Sequence, residues 1–333
     1  MTGAGGTGAG GTGASSAGRT VDYLRLSVTD RCNFRCSYCM PPEGVEFKSH
    51  EEILTYEDMI FFVRVAAQVG ISKIRLTGGE PLVRKDLSDL VKQLSAIEGV
   101  TDISLTTNGV LLPRFAGALR DAGLRRVNIS IDSLDPERFR ALTRGGSLAD
   151  ALAGVDAAFE QGLLPVKVNA VMLPELLEEV HAFAEFTRAR PVHVRFIEWM
   201  PVGGCGPSDS VSTLSKDRLM EAFAAIESMD PVTSPGGWGP ARYFRLPGHE
   251  GTVGFISSMS DHFCGDCNRL RLTADGRLKS CLFSGDEVEV IKLLRQRDEA
   301  GTLEAVRRSL DGKTFDKNRV REMNSRGMSQ IGG

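Results

Sequence analysis

The chain has 333 residues, 41% of them hydrophobic and 25% charged, with a formal net charge of −3. That length allows one large domain and a smaller one, and the charge excludes binding to nucleic acid or an anionic membrane through overall attraction. No apolar run approaches the roughly 20 residues needed to cross a bilayer, and the N-terminus has no basic-then-apolar leader, so no membrane and a cytoplasmic location are expected.

Residues 1–18 are a near repeat of Gly, Ala, Thr and Ser. Such a composition cannot bury a core, which predicts a disordered tail. From Val21 to about Glu198, strand-like and helix-like stretches alternate. Strands are predicted to begin near Tyr23, Lys73, Thr101, Arg126, Pro165 and Val192, with helices over 55–69, 87–97, 114–122, 148–161 and 176–188. Six β-then-α units predict an α/β fold, a partial, TIM-like parallel barrel with right-handed crossovers.

Parallel strands covered by helices usually read as unbroken apolar runs, and these do not. Side chains alternate across a strand with period two. Leu24, Leu26 and Val28 oppose Arg25, Ser27 and Thr29; Ile74 and Leu76 oppose Lys73, Arg75 and Thr77. Val127, Ile129 and Ile131 oppose Arg126, Asn128, Ser130 and Asp132; Lys167 and Asn169 share a face, and His193 and Arg195 oppose Val192, Val194 and Phe196. The apolar faces can pack on helices, leaving polar faces to line an interior too polar for a dry core. This predicts a ligand-filled channel.

Another helix is predicted over 208–229. Beyond Pro231, Gly and Pro cluster over 235–240, short strands are predicted over 243–246, 252–256 and 270–273, and 302–324 reads as a basic helix. The boundary falls near 230. A barrel over 19–230 is then joined by a smaller α+β domain over 231–333 that closes its open side.

The seven cysteines are odd in number, and six of them form two groups of three. A disulfide framework would favour an even count in a small secreted chain, whereas close triplets suggest metal or cluster ligation. Cys32, Cys36 and Cys39 follow the first strand with the spacing C-x3-C-x2-C. A 4Fe–4S cube has four irons, each normally wanting one thiolate, so three local cysteines leave one iron open to chelate a small molecule. A zinc knuckle would want four ligands, and the nearest histidine is His50. Cys264, Cys267 and Cys281 form the second trio, where Cys205 or His262 would complete a rival zinc site. Arg269 and Arg271 share one face of an extended segment and suit a phosphate or a purine carbonyl edge.

Tyr38 lies within the first trio, just before Cys39, Thr77-Gly78-Gly79-Glu80-Pro81 ends the second strand, Thr106-Thr107-Asn108-Gly109 the third, and Ser130 with Asp132 the fourth. Together these resemble the radical S-adenosylmethionine superfamily. Over nearly the whole chain after residue 20, the sequence is similar to the GTP 3′,8-cyclase family of molybdenum cofactor biosynthesis. The resemblance is carried by Leu24-Arg25-Leu26-Ser27-Val28-Thr29-Asp30-Arg31-Cys32, Lys73-Ile74-Arg75-Leu76-Thr77, Arg195-Phe196-Ile197-Glu198-Trp199-Met200-Pro201, the second trio and the Gly332-Gly333 end. The N-terminal Gly-rich segment and Cys205 lie outside the family pattern.

The resemblance implies two 4Fe–4S clusters, one on Cys32, Cys36 and Cys39 and one on Cys264, Cys267 and Cys281. It implies S-adenosylmethionine contacts from Tyr38, Gly79, Ser130 and Met200, although Met200 also suits a core. GTP would meet Arg25, Lys73, Arg75, Thr106, Lys167, Arg269, Leu270 and Arg271, with Gly332 and Gly333 threading in as catalytic residues. The implied reaction is radical cyclisation of GTP to 3′,8-cyclo-7,8-dihydro-GTP, begun by removal of the ribose 3′ hydrogen. Implied partners are a one-electron donor of flavodoxin or ferredoxin type and cyclic pyranopterin monophosphate synthase as the next enzyme; a homodimer is admitted. The rivals are a peptide-modifying radical enzyme with an auxiliary cluster and a non-catalytic zinc protein.

Overall fold

The computed structural model describes residues 20–202, 214–236, 239–261, 263–283, 285–313 and 326–332. The expected tail over 1–18, Cys205, His262, Gly333 and parts of the helices expected over 208–229 and 302–324 lie outside the described residues. The six predicted strands are β1 (Tyr23–Ser27), β2 (Lys73–Thr77), β3 (Asp102–Thr107), β4 (Arg126–Ser130), β5 (Lys167–Met172) and β6 (His193–Glu198). Between them run α1 (Tyr56–Ala67), α2 (Leu87–Ser95), α3 (Leu112–Asp121), α4 (Pro136–Thr143), α5 (Leu148–Glu160) and α6 (Val180–Ala189).

The helices start where local chemistry allows. Thr55 Oγ1 accepts from the Asp58 amide at 3.2 Å while Asp58 Oδ2 accepts from the Thr55 amide at 3.1 Å, a reciprocal cap on α1. In α2, Leu87, Leu90, Val91 and Leu94 recur at helical spacing and are all buried, giving one face to pack on the sheet. α4 departs from expectation. It is short and polar, with only Phe139 and Thr143 buried, so it shows no helical stripe. Pro136 in its first turn and the Asp135 carboxylate, which accepts from the Arg138 amide at 2.7 Å, fix its start.

Beyond α7 (Lys216–Ala224) come β7 (Asp230–Val232), β8 (Arg242–Arg245), β9 (Thr252–Ile256), β10 (Arg269–Leu272), β11 (Arg277–Lys279) and β12 (Val288–Glu289), followed by α8 (Ile291–Arg295), α9 (Glu299–Asp311) and α10 (Met328–Ile331). These strands extend the same sheet at both edges. The order is β12-β11-β10-β1-β2-β3-β4-β5-β6-β9-β8-β7. β10 pairs parallel with β1, and β9 parallel with β6, so the parallel part has eight strands rather than six. The outer strands turn antiparallel. Among the described residues, no helix is long and apolar enough to cross a membrane.

Period two governs the whole parallel sheet. Leu24, Leu26, Ile74, Leu76, Ile129, Val168, Phe196, Phe255, Leu270 and Leu272 are buried in one continuous apolar core. The opposite faces carry the polar set. The register sets Arg25 directly between Arg75 and Arg271, and Asn169 beside Arg195. Like charges so placed repel, and here the register itself concentrates them.

Candidate active site

The polar faces of β1 to β6, β9 and β10 enclose a cavity of about 350 Å³. On its wall, Arg75 Nη1 donates to Thr106 Oγ1 at 3.4 Å and Arg75 Nε to the Tyr23 hydroxyl. Arg195 donates twice to Asn169 Oδ1, at 2.9 and 2.5 Å. Arg25 Nη2 and Arg271 Nη1 donate to the Gly332 carbonyl at 3.4 and 3.5 Å. These acceptors are neutral. Burial, then the neighbouring Arg271, holds Arg25 well below the usual guanidinium range; burial, then Arg269, brings Arg271 down to about 10. Lower in the sheet, Lys73 pairs with Asp22 and Arg126 with Asp102, and those cations have counterions of their own. Buried guanidiniums such as Arg25 and Arg195, whose described acceptors are neutral, are favoured by an anion that joins them.

The two cysteine trios line the same cavity. The first sits on the loop after β1, where the Cys39 and Met40 amides both donate to the Cys36 carbonyl, at 2.9 and 3.0 Å. Burial pushes the Cys32 thiol up to about 11 and lifts Cys36 well above its ordinary value, helped by the Asp132 charge. Metal coordination favours the ionised form of such thiols. At Cys267 burial also raises the thiol, but Lys313 and Arg269 outweigh it and leave it lowered. Among the described residues, no three His, Cys, Asp or Glu side chains converge tightly enough to hold a single metal ion. A closed mononuclear zinc site would draw its ligand atoms to about 2.0–2.3 Å from one point.

A buried network braces the cavity around the first trio. The Tyr38 hydroxyl donates to Asp132 Oδ2 at 2.7 Å, and Asp132 Oδ1 accepts from the Val171 amide at 2.9 Å. Burial raises Asp132 to about 6 against those hydrogen bonds. Glu80 accepts from Thr107 Oγ1 at 2.8 Å and from the Asn108 and Leu82 amides at 2.7 and 3.0 Å, and burial still raises it to about 7. One carboxylate thus ties the end of β2 to the end of β3. Gly79 is there by necessity: a Cβ would lie 2.3 Å from the Arg31 carbonyl oxygen.

Most expected site residues meet at this cavity: Tyr38, Gly79, Ser130, Met200, Arg25, Arg75, Thr106, Arg269, Arg271 and all six cysteines. Gly332 reaches it through its carbonyl. Lys73 and Lys167 share the inward faces of Arg75 and Asn169 but sit one step lower, below the lined volume, where Lys73 meets Asp22 and Lys167 donates to the Gly236 carbonyl. Leu270 points the other way and is fully buried in the core, since it alternates with Arg269 and Arg271. Arg195, Asn169, Glu80 and Asp132 were assigned no role from the sequence. In the sequence Arg195 stands as a cation on an inward face and opens the Arg195–Pro201 stretch of the resemblance, with no contact named for it.

Four buried polar atoms without a protein partner, Arg25 Nε, Thr77 Oγ1, Asn128 Oδ1 and Ser329 Oγ, belong to residues lining this cavity. Such atoms mark where a ligand completes the hydrogen bonding. They fit a polar ligand beside the cysteines.

A partial β/α barrel with three cysteines on the loop after its first strand, and a glycine-rich segment ending its second, defines a radical S-adenosylmethionine enzyme. A profile described as the Radical SAM superfamily matches residues 26–187, and one described as Molybdenum Cofactor Synthesis C matches residues 192–318. The chain is 49% identical to the GTP 3′,8-cyclase of Pelotomaculum thermopropionicum, covering 95% of this chain and 98% of that one. It is 46% identical to the GTP 3′,8-cyclase of Petrotoga mobilis at the same coverage of both. The chain belongs to the GTP 3′,8-cyclase family. Among solved structures, Streptococcus suis SuiB shares the fold with a TM-score of 0.59 at 13% identity, covering 88% of this chain and 69% of that one.

Proposed function

We propose that the protein converts GTP to 3′,8-cyclo-7,8-dihydro-GTP with S-adenosylmethionine, the first step of molybdenum cofactor biosynthesis. One observation carries this reading: two cysteine trios and a set of buried guanidiniums that donate to neutral acceptors converge on one cavity. A triphosphate supplies negative charge to these guanidiniums, and each cysteine trio would hold a 4Fe–4S cluster through three thiolates.

When bound, the cluster on Cys32, Cys36 and Cys39 supplies the electron for reductive cleavage of S-adenosylmethionine, and the chemistry then starts at the ribose of GTP. The chain's own part is placement. Arg25, Arg75, Arg195 and Arg271 neutralise the triphosphate, with Thr106 orienting Arg75 and Asn169 orienting Arg195. Lys73 and Lys167 extend the positive charge below them. Tyr38, held by Asp132, together with Gly79, Ser130 and Met200, shapes the side where S-adenosylmethionine lies. Cys264, Cys267 and Cys281 would hold a second cluster, which would supply an open iron for the purine, and Arg269 lines the same part of the cavity. Met200, Leu282, Phe283 and Met328 form an apolar border that limits water, and enclosure of this kind protects a reactive intermediate. Holding ribose and adenosine in contact makes the reaction effectively unimolecular. A flavodoxin- or ferredoxin-type donor, delivery to cyclic pyranopterin monophosphate synthase and a cytoplasmic location go with this reading.

The test is isotopic. Reduced, iron-loaded protein incubated anaerobically with S-adenosylmethionine and 3′-deuterated GTP is expected to yield deuterated 5′-deoxyadenosine. Undeuterated 5′-deoxyadenosine with no cyclised nucleotide would overturn the proposal.

A further inference from the structure

The first cysteine loop is held by α4, whose last residue, Thr143, reaches the cavity wall. The helix ends against the loop. The Arg35 amide donates to the Thr143 carbonyl at 3.2 Å and the Ser37 amide to the Leu142 carbonyl at 2.9 Å. Arg144, just past the helix, then reaches across. Its Nη1 donates to the Arg35 carbonyl at 2.9 Å and to the Met40 carbonyl at 2.6 Å. Those two carbonyls flank the ligand turn, one residue before Cys36 and one after Cys39. A single guanidinium nitrogen therefore closes a bracket around both cysteines.

The backbone at Arg144 points the same way. Its φ of 54° lies in the left-handed region, where a side chain is costly and glycine is not. Gly145 follows with φ 120° and open space around its Cβ position, and Gly146 packs so closely that a Cβ would meet the Phe34 ring at 2.7 Å. Phe34 in turn meets Phe139 of α4 edge-on, with centroids 6.0 Å apart. Packing therefore fixes the loop to α4 near Cys32, and the Arg144 guanidinium fixes it around Cys36 and Cys39.

We propose that Arg144 is a positioning residue that holds the Cys36–Cys39 turn in ligand geometry, so that the cluster binds without first ordering the loop. The inference rests on the reading that Cys32, Cys36 and Cys39 hold an iron–sulfur cluster. A turn carrying two of three ligands has freedom to lose on metal binding, and charge-assisted donors to its flanking carbonyls remove that freedom beforehand. Contacts that orient the ligands govern metal retention as much as the ligands do.

Arg144→Gly suits the test because glycine relieves the left-handed backbone and only the guanidinium is lost. The background is the Cys264→Ala/Cys267→Ala/Cys281→Ala chain, which confines iron to the first trio. Iron release to a chelator is followed anaerobically, with the electron paramagnetic resonance change on adding S-adenosylmethionine and the melting temperature of the metal-free chain. Arg144→Gly is expected to release iron about tenfold faster, as suits the loss of a charge-assisted hydrogen bond, with an unlowered melting temperature. Arg144→Lys is expected to fall between. Release at the unsubstituted rate would overturn the positioning role. Absence of iron from the triple variant with Arg144 intact would instead remove the cluster reading itself.

Discussion

Lys167 shows what the cavity does to a single residue. Its ammonium lies on the inward face of β5, 3% exposed, and donates to the Gly236 carbonyl. Burial first, then the charges of Arg195, Arg75 and Arg126, brings its pKa down from 10.5 to about 7. A lysine lowered in this way is largely neutral above that value in the empty cavity. A bound polyanion favours the charged form and draws a proton in. The sign follows: nucleotide binding takes up protons when the pH is above about 7, and affinity falls as pH rises. At about pH 8, binding is expected to take up close to one proton, and at about pH 6 markedly less. Calorimetry in buffers of different ionisation enthalpy measures this directly, and Lys167→Met is expected to abolish the uptake at the higher pH. Burial lowers Arg25 and Arg195 as well.

At the scale of elements, the loops that end β1 and β2 interlock. The Gly79 amide donates to the Thr29 carbonyl at 2.8 Å and the Glu80 amide to the Arg31 carbonyl at 2.8 Å. Gly79→Ala would place a methyl 2.3 Å from Arg31 O and 2.9 Å from Asp30 O, both backbone atoms that cannot swing aside. The loop of Cys32 must shift, at a cost of about 1–3 kcal/mol. Equilibrium denaturation is expected to show that loss, and S-adenosylmethionine binding is expected to weaken at least tenfold. Gly265→Ala serves as the control: it lies between Cys264 and Cys267, yet among the described residues nothing stands within 4 Å of its Cβ position, so it is expected to be nearly neutral. Neither clash nor open space at these two glycines can be read from residue order, because both depend on what the rest of the chain brings nearby. Alternation, by contrast, is a local property, so the inward faces of β1 to β6 are legible in the sequence alone. The same alternation turns Leu270, between two inward arginines, toward the core. Pairing is not local: Arg25 lies beside Arg271 because β10 returns parallel to β1 after more than two hundred residues, and no local pattern announces that. α4 is hidden for a different reason, since a helix with two buried residues carries no stripe.

Across the whole molecule, a chain of net negative charge encloses a cavity rich in arginine, and the first strand meets Gly332 there. Gly332 reaches Arg25 of the first strand through its carbonyl, 307 residues away in sequence. The approach is anchored in three ways. Arg326 pairs with Asp275 at 2.7 Å and Glu287 at 3.0 Å. Ile331 is buried with Val202 and Leu282. Gly332 itself adopts φ 82°, where a Cβ would come within 2.8 Å of Ser27 Cβ. The tail therefore presents its Gly332 carbonyl to two guanidiniums of the cavity, and Gly332 itself packs on Ser27 and Thr77 rather than on a cysteine. Disturbing it should separate the two halves of the reaction. Gly332→Ala is expected to keep iron content and S-adenosylmethionine cleavage, since Cys32, Cys36, Cys39 and Tyr38 are untouched, and to lower cyclised nucleotide by about tenfold or more through misplaced donors. The ratio of 5′-deoxyadenosine to cyclic product, measured by chromatography, should rise accordingly. Arg326→Gln, which leaves every cavity residue in place and weakens only the anchor, should move that ratio the same way by a smaller factor. An unchanged ratio in both variants would mean that Arg25 and Arg271 keep their aim without the tail, and that the chain's last turn is packing alone.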